Sequence, residues 1–219
     1  METVDLRRTL RTLFSPRPGR FELVTVPDLP FLALDGRIEP GSAPGTSPGF
    51  EAATSALYAL AYTLKFQLKK RAEDPLDYPV MPLEGLWWVE DGRFDLARPD
   101  NWHYRLMIVL PEQVADADVA TALAALRAKR GDSPELAGLR RERFAEGRCA
   151  QVLHVGPYAT EPDTLSGLGA FLDSVGMVDR VGEAGGRHHE IYLGDPRKAD
   201  PARLRTILRH PVAPARPPS

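Results

Sequence analysis

The 219-residue sequence is poor in the features that build disulfide-linked or membrane-bound proteins. It has one cysteine, Cys149, so an intrachain disulfide is impossible, which fits a reducing compartment. No apolar run approaches the roughly 18 residues that a membrane span needs. The opening stretch METVDLRRTLRTLF also lacks the apolar segment of a signal peptide. We therefore expect a soluble cytoplasmic protein that does not associate with membranes.

The sequence also lacks an excess of charge of one sign and the short motifs of common enzyme classes. Its 28 basic and 30 acidic residues give a net charge of −2, too little for a dedicated nucleic-acid binder. It contains no P-loop, no GxGxxG, no GxSxG and no HExxH. His188 and His189 resemble a metal-binding pair, but adjacent residues of a strand point to opposite faces. We predict no metal, no cofactor and no nucleic-acid partner.

What the sequence does contain is two stretches with the same order of predicted elements. Hydrophobic spacing predicts strand, helix, strand and strand in the first half, over residues 31–34, 50–71, 83–89 and 104–110. The same order is predicted in the second half, over residues 150–155, 165–175, 188–193 and 204–209. Aligning the third elements places Glu84 on Glu190. The pattern predicts an α+β fold made of a duplicated β-α-β-β unit, with a pseudo-two-fold axis and a ligand cleft between the repeats.

The composition predicts where these units begin and end. Residues 1–20 are expected to form an N-terminal helical arm, residues 21–212 the main domain, and residues 213–219 a disordered tail. Within the domain, repeat 1 spans about 21–111, a connecting helical segment about 112–147, and repeat 2 about 148–212. We expect the prolines of FELVTVPDLPFLALDG to interrupt the first strand, and the charged stretch before Gly147 to be partly helical.

Two glutamates on predicted strands are the candidate chemical groups. Because side chains alternate along a strand, Glu190 shares a face with Tyr192, and Glu84 shares a face with Trp88. We expect the aliphatic face of each unit to pack on its helix, and the helix-free face to form a groove that holds both glutamates. A carboxylate beside aromatic rings is partly desolvated, which raises its pKa. The competing interpretation is that these glutamates lie on a solvated strand face.

Aromatic residues supply the walls of the expected groove. Aromatic faces attract cations and flat π-systems, worth roughly 0.5–2 kcal/mol per good contact. Trp87 and Trp88 cannot both point into the groove, because they are adjacent on one strand. Tyr58, Tyr62 and Phe66 follow one another at helical spacing, and we interpret this row as core packing rather than a ligand wall.

Three segments are typical of one known family: PLEGLWW, HVGPY and HHEIYLGDPRKADPARLRTILRHPV. They resemble the GyrI-like small-molecule-binding superfamily, and its stand-alone branch in particular, over about residues 21–212. The resemblance implies a duplicated β-α-β-β fold whose cleft glutamate is Glu190, with Tyr158 nearby. Members of the superfamily include effector domains of multidrug-responsive activators, stand-alone proteins that sequester drugs, and hydrolases that open the cyclopropane ring of DNA-alkylating natural products. No helix-turn-helix pattern precedes residue 21, which departs from the activators.

We therefore expect a protein that binds planar aromatic xenobiotics and hydrolyses a cyclopropane-bearing alkylator, for self-protection. The expected catalytic residues are Glu190, Glu84 and Tyr192. The expected ligand-binding residues are Trp88, Trp87, Tyr158, Tyr104 and His188. Two alternatives stay open: a non-catalytic multidrug-binding protein that sequesters or senses drugs, and an inhibitor of a topoisomerase, as the superfamily name suggests. The sequence does not distinguish a monomer from a homodimer.

Overall fold

The chain begins with a short arm that lies against the body of the protein. The computed structural model describes residues 2–90, 94–183 and 185–215. In it, the arm consists of β1 (Glu2–Thr3), α1 (Leu6–Thr9) and α2 (Arg11–Phe14). Leu13 and Phe14 are buried in the core, so the arm is packed against the domain rather than extended into solvent.

After the arm, strands and helices follow one another along the chain. The helices are α3 (Pro48–Lys70), α4 (Asp116–Arg130), α5 (Pro134–Gly138) and α6 (Glu161–Ser174). The strands are β2 (Glu22–Arg37), β3 (Leu76–Asp77), β4 (Leu83–Trp88), β5 (His103–Val109), β6 (Arg140–Val155), β7 (Met177–Asp179), β8 (His188–Tyr192) and β9 (Arg205–Pro214). Short 3₁₀ turns lie at Pro99–Asn101, Tyr158–Thr160 and Pro201–Arg203. The predicted helices and the third and fourth strands of each half are confirmed, with ends that differ by at most five residues.

Seven strands form one antiparallel sheet in the order β6-β2-β5-β4-β8-β9-β7. The first strand of this order, β6, also pairs with β9 through residues 149–155 and 205–211, so the sheet curls back on itself. β1 and β3 form a separate parallel pair. Helices packed on a curled antiparallel sheet confirm the predicted α+β class.

The helices α3 and α6 leave the middle of the sheet uncovered. α3 packs on β2 and β5, and α6 packs on β6 and β7. Leu57, Leu60, Leu64 and Leu68 recur at helical spacing along α3 and are fully buried, which is why this segment forms a helix and docks on the sheet. β4 and β8 lie between the parts of the sheet that the two helices cover, and this strip of the helix-bearing face is called the cleft below.

The prediction that prolines interrupt the first strand is wrong. β2 runs without a break from Glu22 to Arg37, through Pro27 and Pro30. β6 pairs with residues 22–33 of this strand, whereas β5 pairs only with residues 31–37. Both prolines therefore lie where one edge of β2 has no partner strand, the position at which a missing N–H is tolerated.

The prediction that the charged stretch before Gly147 is helical holds only as far as α5. β6 begins at Arg140 rather than at residue 150. Its charged side chains pair across the sheet: Arg143 lies 2.7 Å from Asp28, and Glu142 lies 2.9 Å from Arg105. Such cross-strand ion pairs stabilise a strand register in a segment that lacks alternating apolar residues.

The C-terminal strand extends further than expected. β9 continues to Pro214, two residues into the predicted tail. The rest of that prediction falls mainly on residues 216–219, which lie outside the described residues. Among the helices that the structure describes, none is both long enough and apolar enough to cross a membrane.

Candidate functional site

The pairing of β4 with β8 places the two predicted glutamates on opposite faces of the sheet. Glu84 lies opposite Ile191, and Gly85 lies opposite Glu190. Directly opposed residues of antiparallel strands share a face, whereas neighbours along a strand do not. Both glutamates are buried, but they point away from each other. The prediction that they share one groove is wrong, because the strand register is offset by one residue from the register it required.

Glu190 lies on the face of the sheet that bears α3 and α6, not on a helix-free surface. Trp87 shares its face, and the Phe50 ring of α3 stacks on Trp87 with 5.5 Å between ring centroids. Glu161, in the first turn of α6, has a carboxylate oxygen within 4.8 Å of a Glu190 oxygen. The prediction that Glu190 lies on the face without helices is therefore wrong, although a cavity of about 260 Å³ does lie on that face, lined by residues that include Leu86, Glu146 and Arg187. The candidate site lies on the face that bears α3 and α6, and Ile191 points to the other face.

At the floor of this cleft, Glu190 is held by side chains of its own strand. Its Oε1 atom lies 2.9 Å from His188 Nε2. The Tyr192 hydroxyl lies beside the same carboxyl group, and it accepts a hydrogen bond of 3.1 Å from Trp87 Nε1. His188, Glu190 and Tyr192 are two residues apart along β8, so strand alternation alone brings them to one face. These contacts fix the orientation of the glutamate.

A second carboxyl group completes the cluster. Glu161 is only 2% exposed, and its Oε1 atom has no hydrogen-bond partner among the described residues. Burial, and then the charge of Glu190, raise the pKa of Glu161 to about 9. Glu161 is therefore a protonated acid at neutral pH, and it lies next to a carboxyl group with different surroundings.

A tyrosine lies at the mouth of the cleft. Tyr158 follows β6 and packs edge-on against Tyr192, with 6.2 Å between ring centroids. Burial, followed by the charges of Glu190 and Glu161, raises the pKa of Tyr158, so its hydroxyl keeps its proton. Because Tyr158 is still 38% exposed, it can present a hydrogen-bond donor to a molecule that enters the cleft.

Helix α3 adds a row of aromatic rings. Tyr58, Tyr62 and Phe66 lie in sequence, with 6.4 Å between the ring centroids of each neighbouring pair. Tyr58 lies beside the backbone of Leu83 on β4. Tyr62 and Phe66 are 49% and 48% exposed, so the interpretation of the row as core packing is wrong for its two outer rings. The row leads from the cleft towards solvent.

Beside the cleft, two further side chains extend the cluster along the same face of the sheet, onto β9 and β7. His188 Nδ1 lies 2.7 Å from His210 Nε2, and His210 Nδ1 lies 2.6 Å from Asp179 Oδ2. Burial outweighs the contact with Glu190 and lowers the pKa of His188, so its imidazole is neutral at neutral pH. Burial would raise the pKa of Asp179, but the bond to His210 outweighs it and lowers that pKa.

Glu84 belongs to a separate cluster on the other face. Its Oε2 atom lies 3.0 Å from His189 Nε2, while His189 Nδ1 lies 3.0 Å from Glu146 and Arg209 lies 3.6 Å from the same carboxylate. Although burial opposes it, the charge of Glu146 and the bonds to both glutamates raise the pKa of His189 to about 8. Arg209 also donates to the backbone oxygen of Leu13, so the N-terminal arm covers this cluster.

The remaining predicted ligand residues are not brought together around Glu190. Trp88 points to the other face, where the Arg187 guanidinium lies 3.8 Å from the centroid of its ring. Tyr104 is buried on β5 against Trp87, and Trp87 itself is only 1% exposed. Of the predicted site residues, the cleft holds Glu190, Tyr192, His188 and Tyr158, with Trp87 beneath them.

A metal ion is the other group that such a cluster suggests. Glu161, His188 and Glu190 each offer one ligand atom, and these atoms lie within 4.8 Å of one another. An ion would have to open the 2.9 Å contact between His188 and Glu190 and displace the proton of Glu161. Because His188 and Glu190 already contact each other and burial favours the protonated form of Glu161, we interpret the cluster as an acid–base site.

Four residues of this site were not predicted from the sequence: Glu161, Tyr58, His210 and Asp179. The available signal for Glu161 is its place three residues after Tyr158, at the start of a helix that follows a strand. His210 and Asp179 carry no local signal, because they reach His188 only through the pairing of β8 with β9 and of β9 with β7.

The chain is similar to a described protein family and to several solved structures. The profile of the GyrI-like small molecule binding domain matches residues 20–213. An uncharacterized conserved protein from Listeria innocua is 34% identical, with a TM-score of 0.86 over 96% of this chain and 100% of that one. Two hydrolases from Listeria innocua are 31% and 33% identical, with TM-scores of 0.81 and 0.82 over 96% and 97% of this chain and 100% of theirs. No curated protein matches the sequence.

Proposed function

Since the chain belongs to the GyrI-like small-molecule-binding family, we propose that it is a cytoplasmic enzyme that binds planar aromatic xenobiotics and hydrolyses the cyclopropane ring of a DNA-alkylating natural product. Opening the ring would destroy the alkylating group and protect the cell. The hydrolases from Listeria innocua, similar to this chain along nearly its whole length, support an enzymatic function. The contents of the cleft support this particular reaction.

A duplicated fold would place a ligand cleft at this position, between its two repeats. The order β2-α3-β4-β5 in the first half recurs as β6-α6-β8-β9 in the second. The sheet order sets β4 beside β8 and β2 beside β6, so a pseudo-two-fold axis would exchange the two strands of each of these pairs, and β5 with β9. Such an axis would pass through the floor between α3 and α6, where the ligand is proposed to bind.

The observation that carries the proposal is the pair of buried carboxyl groups. We assign Glu190, fixed by His188, as the general base that takes a proton from water. We assign Glu161, which holds a proton at neutral pH, as the general acid. Two neighbouring carboxyl groups in different protonation states can remove one proton and supply another in the same turnover.

The reaction uses both groups when the cyclopropane is conjugated to a dienone. The water oxygen bonds to a ring carbon while one ring C–C bond breaks, and the electron pair of that bond moves to the carbonyl oxygen. Glu190 takes the proton that the water loses. Glu161 protonates the carbonyl oxygen, towards which Tyr158 presents its hydroxyl, and the product is a phenol with a hydroxyalkyl arm. Tyr192, held by Trp87, positions Glu190.

The experiment follows the ring opening of a synthetic spirocyclopropyl cyclohexadienone by ultraviolet absorbance. We expect Glu190→Gln to lower kcat by about 10²–10⁴-fold, the usual contribution of a positioned general base, with little change in KM. Glu84→Gln is the matched control, because it makes the same substitution on the adjacent strand but on the other face. Turnover by Glu190→Gln equal to that of the wild type would remove Glu190 from the chemistry.

A second candidate function is non-catalytic binding, in which the protein sequesters or senses a drug. It is favoured by Tyr62 and Phe66, which expose flat apolar rings beside a cleft with a buried carboxyl group, an arrangement that suits flat cations. The two functions differ in the product. After incubation and denaturation, mass spectrometry shows the added mass of one water if the ligand is hydrolysed, and the unchanged ligand if it is only bound.

A further inference from the structure

Three hydrogen bonds lead from Glu190 across the sheet to the protein surface. Glu190 Oε1 lies 2.9 Å from His188 Nε2, His188 Nδ1 lies 2.7 Å from His210 Nε2, and His210 Nδ1 lies 2.6 Å from Asp179 Oδ2. The His188 side chain is fully buried and that of His210 is nearly so, whereas the Asp179 side chain is 42% exposed. Because β8, β9 and β7 are neighbours in the sheet, the path runs away from the cleft floor towards an edge strand.

The directions of these hydrogen bonds depend on the charge of Glu190. Each contact needs one hydrogen, and a neutral imidazole carries only one. Asp179 accepts from His210 Nδ1, since the bond to His210 outweighs burial and keeps the pKa of Asp179 low. If His210 is neutral, its Nε2 atom must accept from His188 Nδ1. His188 Nε2 is then also an acceptor, and Glu190 must carry the proton.

When Glu190 is ionised, donor and acceptor exchange places in two of these hydrogen bonds. His188 Nε2 donates to Glu190, and His188 Nδ1 accepts from His210 Nε2. His210 still donates to Asp179, so it is an imidazolium. Both arrangements contain the same number of protons and satisfy every bond. They differ only in whether one proton resides on Glu190 or on His210.

We propose that His188, His210 and Asp179 form a proton relay, through which Glu190 passes the proton that it takes from water to His210 and then to solvent at Asp179. The purpose of the relay rests on the proposed function, whereas the coupling of Glu190 to His210 is a property of the resting protein. In each turnover one proton leaves through the relay, and Glu161 regains its own proton from water in the cleft. The two histidines are positioning residues that do not touch the substrate.

Other ionisable groups that face Glu190 and His210 limit the pH range over which the relay can be tested. Glu161, Tyr158 and Tyr192 face Glu190, and Asp179 and His188 face His210. Burial raises the pKa of both tyrosines, and burial together with Glu190 raises the pKa of Glu161 to about 9. Below about pH 8 these three groups stay protonated, so a titration of His210 reports on the relay itself.

The experiment records the imidazole ¹⁵N signals between pH 5 and 8 in the wild type, Glu190→Gln and Glu84→Gln. A glutamine at position 190 donates to His188 but carries no negative charge, so it favours the arrangement in which His210 is neutral. We expect Glu190→Gln to move the His210 ¹⁵N signals towards those of a neutral imidazole at a given pH, because the charge that favours its imidazolium form is gone. Glu84→Gln removes the equivalent carboxylate beside His189 and leaves the titration of His210 unchanged.

An unchanged His210 titration in Glu190→Gln would overturn the relay, and so would an equal shift in Glu84→Gln. If Glu190→Gln does not fold, Asp179→Asn tests the relay from its exposed end, and a His210 pKa equal to that of the wild type would again refute it. Turnover gives an independent check, because His210→Gln is expected to lower kcat severalfold without raising KM, with recovery as imidazole buffer is added. A structural defect would not respond to buffer. If no hydrolysis is found, the ¹⁵N coupling still decides the relay.

Discussion

Strand β8 carries two adjacent histidine–glutamate contacts that face opposite sides of the sheet. His188 lies 2.9 Å from Glu190 on the cleft side, and His189 lies 3.0 Å from Glu84 on the other side. All four side chains are buried. The contacts are alike in length and burial, so the groups around them decide what each one does.

The cluster around His189 is closed by opposite charges. Glu146 lies 3.0 Å from His189 and 3.6 Å from Arg209, and His189 also lies 3.0 Å from Glu84. Burial would raise the pKa of Glu146, but the neighbouring cations outweigh it and hold that pKa below its ordinary value. Breaking a buried ion pair by removing one partner is strongly destabilising, because the other charge is left uncompensated.

The cluster around His188 is balanced by protons instead of cations. Glu161 stays protonated at neutral pH, and Glu190 contacts an imidazole whose pKa is lowered by burial. An arrangement that holds its charge balance by mobile protons can exchange them with a substrate. Under the proposed function, the same residue pair stabilises the fold where cations surround it and serves acid–base chemistry where they do not.

The largest expected effect comes from removing the cation that closes the cluster around His189. Arg209→Met leaves Glu146 with one fewer compensating charge and removes hydrogen bonds to Gln151 and to the backbone oxygen of Leu13. We expect the free energy of unfolding, measured by urea denaturation, to fall by about 3–5 kcal/mol.

A second substitution tests whether that loss is electrostatic. Adding Glu146→Gln to Arg209→Met removes the uncompensated charge, so the double variant should recover part of the lost stability. If Arg209→Met costs no more than a typical surface substitution, about 0.5 kcal/mol, charge compensation does not hold this face together.

On the cleft side, removing the buried acid should raise the free energy of unfolding instead of lowering it. The pKa of Glu161 is raised from 4.5 to about 9, so folding requires its protonation, and the resulting loss of stability grows as the pH rises from about 4.5 towards 9. Because glutamine has no charge to lose, Glu161→Gln should raise the free energy of unfolding by about 2–3 kcal/mol at pH 8 and change it little at pH 4.5. Urea denaturation at both pH values measures the difference.

Asp163 offers the matched control, since it is an exposed acid in the same first turn of α6. Asp163→Asn should give no gain that grows with pH. Equal stability of Glu161→Gln and the wild type at pH 8 would contradict a protonated Glu161. The stabilised variant should also lose ring-opening activity, as expected where function opposes stability.

The sequence predicts those structural features of the two clusters that depend on residues close together in the chain. Helical spacing of apolar residues places α3, and strand alternation places Glu190 and Tyr192 on one face. Both patterns depend on local backbone geometry, so they survive in the folded protein without knowledge of its partners.

The parts that the sequence does not predict depend on how distant segments pair. A one-residue offset between β4 and β8 turns Glu84 away from Glu190, and no local pattern contains that register. Glu161 and His210 reach the site from α6 and β9 through tertiary packing alone. The closure of the sheet by β6 and β9 also reverses the expected faces, because aliphatic residues such as Ile191 fill the side away from the helices.

The smallest expected effect is that of Glu84→Gln, and it distinguishes the two faces of the sheet most clearly. Against the effect of burial, Glu146 and Glu84 raise the pKa of His189 from 6.5 to about 8, so its charge stabilises the fold fully below pH 6.5 and this contribution is lost as the pH rises through about 8. Glu84→Gln weakens that interaction and should cost about 1 kcal/mol at pH 6 and less at pH 9, by urea denaturation. Turnover should stay at the wild-type rate, because Glu84 does not reach the cleft. A Glu84→Gln protein with unchanged stability but reduced turnover would place Glu84 in the chemistry and remove the distinction between the faces.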